Sequence, residues 1–350
     1  MNNSIDEKYM QRALELAERG IGSVSPNPMA GCVIVHHNQI IGEGWHEKYG
    51  GAHAEVNAIK NVKNKTLLKE STAYVTLEPC AHFGKTPPCA DLLIKHKLKR
   101  VVIANQDSFP LVNGGGIKKL TDAGIEVEVG VLSEEGRVLN KRFFTRVEKK
   151  RPYVILKWAQ TVDGFVAREN YDSKWISNAY SRKLVHKWRA EEDAIWVGTN
   201  TAKYDNPKLN VRDWQGSDPI RLVIDKQLSL DVNTPLFDQE TPTICYNAKK
   251  NDKEVNLEWV KIDNVQWLDE IFLDLRQRGI QSVLVEGGAY LLQSLIDQDY
   301  WDEARVFTGS PSFTKGIKAP DLKVIANETL NVEGDKLELF YKDTFNIVCK

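Results

Sequence analysis

The chain has 350 residues, 47 Lys and Arg against 48 Asp and Glu, and a formal net charge of -1. That length accommodates two domains with two sizeable cores, and the near-neutral balance excludes a general electrostatic footprint for nucleic acid. The polar N-terminus lacks the apolar stretch of a signal peptide, and no apolar run approaches the ~20 residues of a membrane span. The five cysteines are an odd count without framework spacing, which fits a reducing cytoplasm. Cys32 and Cys245 read as small core residues and Cys349 as a thiol near a free end.

In chain order, Ser4-Ile5-Asp6-Glu7 has the pattern of a capping box. Met10, Ala13, Leu14 and Ala17 then recur at helical spacing up to Gly20. Ser25-Pro26-Asn27-Pro28 is a turn, followed by a strand over 31–35 and its hairpin partner over 40–44. Gly50-Gly51 precedes a helix over 54–61 whose first turn holds His53 and Glu55. The lysines between 60 and 69 form a solvated helix end and loop. A strand over 73–77 delivers Glu78-Pro79-Cys80, and a helix after Pro87-Pro88 carries Cys89 on its first turn. Segments at 100–104, 118–123 and 125–130 continue a β-α alternation, which predicts a mostly parallel sheet with helices on both faces. Gly114-Gly115-Gly116 reads as a flexible turn before a helix, not a phosphate loop.

His53, Cys80 and Cys89 supply one imidazole and two thiols, the donor set of a zinc site that keeps a fourth position for water. Zinc lowers the pKa of such a water from about 15.7 to about 7. Glu55, two residues after His53, is a carboxylate free to shuttle a proton to a departing amine. The same His-x-Glu and Pro-Cys elements mark zinc deaminases. His82 lies too close to Cys80 for easy joint ligation and reads as a substrate contact.

Residues 1–146 resemble the deaminase half of the bifunctional riboflavin-biosynthesis deaminase–reductases. The discriminating piece is Cys80-Ala81-His82-Phe83-Gly84-Lys85-Thr86-Pro87-Pro88-Cys89, where nucleoside and transfer-RNA deaminases usually have Cys-x-x-Cys. The resemblance implies a cytidine-deaminase-like three-layer α/β domain in which Asn27, His46, His82 and Lys85 contact the substrate. On the residues alone Asn27 serves equally well as a turn residue, and Lys85 as a solvated lysine or a point charge for phosphate. Around Asp107 the family has Asp-Pro-Asn-Pro; Ser108 and Phe109 depart from it, and Phe109 replaces an amide that would meet the substrate.

The charged run Val147-Glu148-Lys149-Lys150-Arg151-Pro152 marks a domain boundary. Strands over 153–158, 193–198, 219–225, 243–246 and 282–286 alternate with helices over 181–189, 267–278 and 290–297, and Asp163-Gly164 signals a turn. Glu286-Gly287-Gly288-Ala289-Tyr290 is a strand, a glycine pair and a helix start, which suits an anion or tight packing equally. It is not the Gly-x-Gly-x-x-Gly fingerprint, so a Rossmann domain is not supported.

Residues 151–350 resemble the reductase half of the same family, which implies a dihydrofolate-reductase-like domain using NADPH. The matching motifs are Arg151 to Lys157, Asp163-Gly164, Trp175-Ile176-Ser177, Val197-Gly198-x-x-Thr201, Asp205-Asn206-Pro207 and Val285-Glu286-Gly287-Gly288, in family order; the match fades from Phe313. The resemblance implies a nicotinamide-dinucleotide site lined by Ala159, Trp175, Thr201 and Asp205. It extends that site along Gly288, Ala289, Tyr290, Leu291, Leu292, Gln293 and Ser294. Ser173, Arg189, Leu209, Arg212 and Glu286 would hold the ribosyl phosphate substrate, with Lys157 near the reacting sugar carbon. Arg189 and Arg212 are suited to fork onto a phosphate, and each is also an ordinary surface arginine. Lys226 stands where the family often has a small hydroxyl residue.

The expectation is two reactions on one chain in riboflavin biosynthesis, with Zn2+ and NADPH as cofactors. One deaminates 2,5-diamino-6-(5-phosphoribosylamino)pyrimidin-4-one by hydrolysis. The other reduces the ribosyl group of 5-amino-6-(5-phosphoribosylamino)uracil. The expected partners are these small molecules, with neither nucleic acid nor membrane, in the cytoplasm; a homo-oligomer is compatible with the reading. Two rivals are a nucleoside or nucleic-acid zinc deaminase with an accessory binding domain, and a non-enzymatic scaffold whose zinc has a fourth protein ligand.

Overall fold

A computed structural model describes residues 3–82, 87–109, 112–262 and 265–342. They form two compact units that divide in sequence between Lys150 and Arg151.

The first unit opens with α1 (Asn3–Glu18), β1 (Gly31–His36), β2 (Gln39–Trp45) and α2 (Ala54–Asn61). It continues with β3 (Thr72–Leu77), α3 (Cys89–Lys95), β4 (Arg100–Asn105), α4 (Gly115–Asp122), β5 (Glu126–Val129), α5 (Ser133–Leu139) and α6 (Lys141–Glu148). The sheet order is β2-β1-β3-β4-β5. Side chains alternate across it as strand geometry demands. Cys32, Ile34, Val75 and Ile103 pack under α2, α3 and α4; Val33, Val35, Tyr74 and Val102 pack under α1. Three layers result. The sheet is mixed rather than mostly parallel: β1 pairs antiparallel with both β2 and β3, while β3–β4 and β4–β5 are parallel. The short hairpin allows β1 and β2 to pair directly, without a crossover helix.

The capping box at Ser4 does not form, because helix already begins at Asn3. Asp6 is instead buried and accepts both guanidinium donors of Arg100, each at 2.9 Å, and the Tyr74 hydroxyl at 2.6 Å. It fastens α1 to β3 and β4.

The helix that carries His53 and Glu55 lies against the edge strand β2. Asn57 and Asn61, one turn apart, donate to the carbonyls of Trp45 and Glu43 at 2.8 and 2.9 Å. The approach is so close that a Cβ on Gly42 would stand 2.5 Å from Ala58 O, and one on Gly44 2.3 Å from Ala58 N.

The second unit runs β6 (Tyr153–Thr161), β7 (Phe165–Ala167), α7 (Ala179–Glu191), β8 (Ala194–Gly198), α8 (Thr199–Asp205), β9 (Ile220–Ile224) and β10 (Thr243–Asn247). Next come β11 (Asp252–Lys253), β12 (Leu257–Lys261), α9 (Trp267–Gln277), β13 (Ser282–Val285) and α10 (Ala289–Asp297). It closes with β14 (Glu303–Gly309), β15 (Ile317–Lys318), β16 (Glu328–Val332) and β17 (Asp335–Tyr341). The main sheet has the order β11-β12-β10-β9-β8-β13-β6-β14-β17-β16. From β12 to β14 every pairing is parallel. Such strands are buried on both faces and read as continuous apolar runs, as Val154-Ile155-Leu156 and Val283-Leu284-Val285 do. Helices α9 and α10 cover one face, and α7 packs on the other through Val185 and Trp188. Asp163, read from sequence as a turn residue, also accepts from Ser312 Oγ and from the backbone of Phe313 and Thr314, at 2.7 to 3.2 Å. Among the described residues no helix is long and apolar enough to cross a membrane.

Gly44→Ala should destabilise the first unit by roughly 1–3 kcal/mol, the usual cost of overpacking, and displace α2. Denaturant unfolding checks this; an unchanged midpoint would show that α2 tolerates the added methyl.

Candidate active sites

In the first unit, His53 precedes α2 and its φ of -74° and ψ of 166° turn the chain into the helix. Its Nδ1 stands 3.7 Å from Cys80 Sγ and 3.3 Å from Cys89 Sγ. The donor atoms of all three residues lie within 4.8 Å of one another. With Zn–S near 2.3 Å and Zn–N near 2.0–2.1 Å, a tetrahedron has an S···N edge of about 3.5–3.6 Å, and the two observed distances straddle it. The donor set therefore fits zinc. Among the described residues these three are the group of His, Cys, Asp and Glu side chains placed to hold a metal ion. Three protein donors leave one tetrahedral position for water. Cys80 Sγ accepts the Cys89 backbone N–H at 3.2 Å; the Cys89 thiol, that amide and His53 hold the Cys80 thiol down to about 4. Glu55 is buried on the first turn of α2, where burial and the nearby Cys80 push its carboxyl up.

His46 is almost fully buried and stacks edge-on against His53, with ring centroids 5.4 Å apart. Its Nδ1–H donates to Ala52 O at 3.0 Å, so its Nε2 accepts from Asn27 Nδ2 at 3.0 Å. Both nitrogens are thereby used. Of the implied pair of substrate contacts, His46 holds Asn27, and the Asn27 oxygen is the group left to offer. His82 is half-buried, and its Nδ1 is buried without a hydrogen-bond partner. Lys85 lies outside the described residues. Phe109 is exposed.

The residue that sequence reasoning passed over is Glu78. Its buried carboxylate accepts four backbone N–H groups, from Asp107, Gly114, Gly116 and Ile117, at 2.8 to 3.2 Å. A Cβ on Gly116 would stand 1.9 Å from Pro79 O. The glycine run is thus no loose turn. It is a surface moulded to Glu78-Pro79, two residues from Cys80, and the readable signal is an acid beside a candidate metal donor combined with a glycine run elsewhere.

In the second unit a cavity of about 960 Å³ opens at the C-terminal ends of β8, β9 and β13, where ligands enter open parallel sheets. Lys157, Ala159, Ser173, Trp175, Thr201 and Asp205 line it, as do Leu209, Arg212 and Glu286, together with the start of α10 from Gly288 to Leu292. Gln293 and Ser294 do not. They lie one turn further along α10 than Ala289 and Tyr290 and bond elsewhere: Gln293 spans Asp297 and the Asp321 N–H, and Ser294 donates to Tyr290 O. Leu291 and Leu292 are mostly core residues.

Arg189 also lines the cavity, but its fork is taken. Nε and Nη2 bind the two Glu286 oxygens at 2.7 and 2.8 Å, and Nη1 donates to Asn210 O at 3.0 Å. Arg212, the other arginine expected to fork onto a phosphate, is exposed, and its Nη1 touches Asn210 Oδ1 at 3.1 Å. Lys157 Nζ stands 3.8 Å from Glu286 Oε2. Burial pushes the Lys157 ammonium down, an effect Glu286 partly offsets. Burial also opposes the charge on Glu286, yet Arg189 and Lys157 together bring that carboxyl down to about 2. Ser173 Oγ donates to Asp205 Oδ1 at 3.0 Å. Lys226 lines the cavity with its ammonium 4.9 Å from the Trp267 ring centroid.

Fold and donor set define a class: a zinc-dependent deaminase of the cytidine deaminase type, carried on one chain with a dihydrofolate-reductase-like α/β unit. Comparison with known proteins narrows it. The family profile for the cytidine and deoxycytidylate deaminase zinc-binding region matches residues 3–105, and that for the RibD C-terminal domain matches residues 152–313. The riboflavin biosynthesis protein RibD of Aquifex aeolicus is 41% identical, over 98% of this chain and 98% of its own. That of Escherichia coli is 36% identical, over 86% and 87%. The crystal structure of a diaminohydroxyphosphoribosylaminopyrimidine deaminase/5-amino-6-(5-phosphoribosylamino)uracil reductase from Thermotoga maritima superposes with a TM-score of 0.88 at 36% identity, covering 97% of this chain and 99% of that one. Acinetobacter baumannii RibD gives 0.88 at 33%, with the same coverage. The chain belongs to the RibD family, the bifunctional deaminase–reductases of riboflavin biosynthesis, with Zn2+ and NADPH as cofactors.

Glu78→Ala would leave four N–H groups without their acceptor, two of them buried and two partly buried. At about 1–3 kcal/mol for each group left unsatisfied, with partial relief from water, the loss should exceed about 2 kcal/mol and weaken zinc retention. Unfolding and metal analysis after dialysis read both; wild-type values for both would remove Glu78 from its supporting role.

Proposed function

We propose that residues 1–146 hydrolyse the amine from 2,5-diamino-6-(5-phosphoribosylamino)pyrimidin-4-one, and that residues 151–350 reduce the ribosyl group of the deaminated product to ribityl with NADPH. The observation that carries this reading is the placement of His53 Nδ1 against two thiols at the edges of a zinc tetrahedron, with the buried Glu55 beside them. The reactions named for the Thermotoga relative supply the substrates.

When bound, zinc supplies a water whose pKa is lowered to about 7. His53, Cys80 and Cys89 would hold the ion, and Glu55, which is not a ligand, would carry a proton at a carboxylate oxygen to the nitrogen that leaves as ammonia. Asn27, held by His46, presents its amide oxygen to the base edge. His82 offers its unpartnered ring nitrogen, and Lys85 a point charge for the phosphate.

In the second unit NADPH, when bound, would supply the hydride for the sugar carbon of the ring-opened substrate, which would take up one proton at nitrogen. Lys157 holds that proton. Arg189 acts at one remove by fixing Glu286; Arg212 meets the phosphate. Ala159, Trp175, Thr201, Asp205 and the first turn of α10 hold the dinucleotide along the same cavity. The cofactor carries the redox chemistry, while the protein orients it. A cytoplasmic setting belongs to this proposal: Cys32, Cys80, Cys89 and Cys245 are free thiols, as a reducing compartment requires.

Glu55→Gln should retain zinc and lower ammonia release by about 10²–10⁴-fold, while NADPH oxidation with the deaminated substrate continues. Undiminished ammonia release would remove Glu55 from its role. Arg212→Ala should raise the reductase KM by about 10-fold or more, the worth of a charge-assisted hydrogen bond, and leave the deaminase KM alone. Equal effects on both reactions would contradict the assignment.

A further inference from the structure

The reaction above leaves a buried histidine in the cavity wall unused. His186 lies on α7 three residues before Arg189, so both side chains leave the same face of the helix. Both grip one short segment of the loop between α8 and β9. Arg189 Nη1 donates to Asn210 O at 3.0 Å, and His186 Nδ1 accepts the Arg212 backbone N–H at 3.3 Å. Between them the Val211 N–H donates to Asp218 Oδ1 at 2.7 Å. The backbone that carries Arg212 is therefore held from three sides while its guanidinium stays exposed.

Only a neutral ring can do this. Nδ1 must keep its lone pair for the Arg212 N–H, so the proton sits on Nε2, which faces Asp213 Oδ2 at 3.5 Å. A protonated ring would set N–H against N–H. The charged groups around the imidazole are Arg189 on its own helix, Arg212 and Asp213 on the loop, and Glu286 after β13. Glu286 is engaged with Arg189, and the Asp213 side chain is 58% exposed. Burial, followed by the two guanidinium groups, pushes the imidazole down and keeps it neutral.

We propose that His186 is a positioning residue for substrate specificity, which as a neutral acceptor fixes the backbone of Arg212 and so aims that guanidinium at the substrate phosphate. This rests on the reading of Arg212 as the phosphate contact. Acid should loosen the grip. The neutral ring keeps the contact until pH falls through its folded pKa, which lies below the ordinary value near 6.5.

The test is steady-state reductase kinetics with the phosphorylated substrate and with its dephosphorylated counterpart, over roughly pH 5 to 8. The proteins are wild type, His186→Ala, His186→Asn and Arg212→Ala. His186→Ala should raise KM for the phosphorylated substrate by about tenfold, the effect of one acceptor withdrawn from a buried N–H. It should change KM for the dephosphorylated substrate little. His186→Asn, whose Oδ1 can stand in for Nδ1, should restore most of the loss. The substrate phosphate titrates near pH 6 as well, so the pH effect is read as the ratio of wild-type to His186→Asn KM, which should climb as pH falls. If Arg212→Ala raises KM for the phosphorylated substrate and His186→Ala does not, the role of His186 is overturned and the phosphate reading stands. If His186→Ala affects both substrates equally, or His186→Asn fails to restore the loss, His186 is only a packing residue. If Arg212→Ala itself leaves KM unchanged, the phosphate reading fails and this inference fails with it.

Discussion

A zinc tetrahedron demands that one imidazole nitrogen and two sulfurs meet within a few ångströms, although they come from separate stretches of chain. In the first unit that demand is met by backbone, before any metal chemistry is considered. Gly42 and Gly44 allow α2 to lie directly on β2, which sets His53 and Glu55. Glu78 gathers four N–H groups from the loop and helix beyond β4, which sets Pro79 and Cys80. Cys89 closes the arrangement by donating its own amide to the Cys80 sulfur. A buried carboxylate with several N–H donors is costly to leave half-satisfied, so Glu78 favours one arrangement of the loop over its alternatives.

The second unit solves a different electrostatic problem in a related way. Its cavity wall holds Lys157 and Arg189 around the single carboxylate of Glu286. Two cations against one anion give a wall suited to an anionic ligand, and the carboxylate stops them from repelling each other in a buried place. The arginine most deeply set in this cluster is spent on structure. The exposed one, Arg212, is free to recognise a ligand, and the same helix face that holds Glu286 in place also steadies the Arg212 backbone.

Much of this was legible in the sequence, for local reasons. The meeting of His53, Cys80 and Cys89 was readable because His-x-Glu on a helix start and Pro-Cys after a strand are short-range patterns, and the strands were readable because buried parallel strands are continuous apolar runs. What escaped notice depends on partners distant in the chain. Asp6 looks like half of a capping box until Arg100 and Tyr74 arrive from β4 and β3. Glu78 looks like a motif neighbour until its N–H donors arrive from residues 107 to 117. Arg189 looks like a phosphate ligand until Glu286, 97 residues later, takes its fork. The hairpin of β1 and β2 is legible, but the antiparallel pairing of β1 with β3 is not, because a β-α alternation does not say which strand lies beside which. Gln293 and Ser294 sit one turn further along α10 than Ala289 and Tyr290, beyond the lining of the cavity.

The first unit turns on its metal centre, and metal content set against ammonia release is the most direct test of it. Purified protein should carry one tightly held zinc per chain, lose ammonia release in proportion as a chelator removes it, and regain both on addition of zinc. Cobalt in its place should show the absorption of thiolate ligands. Metal-free protein that still releases ammonia at the full rate would contradict the account.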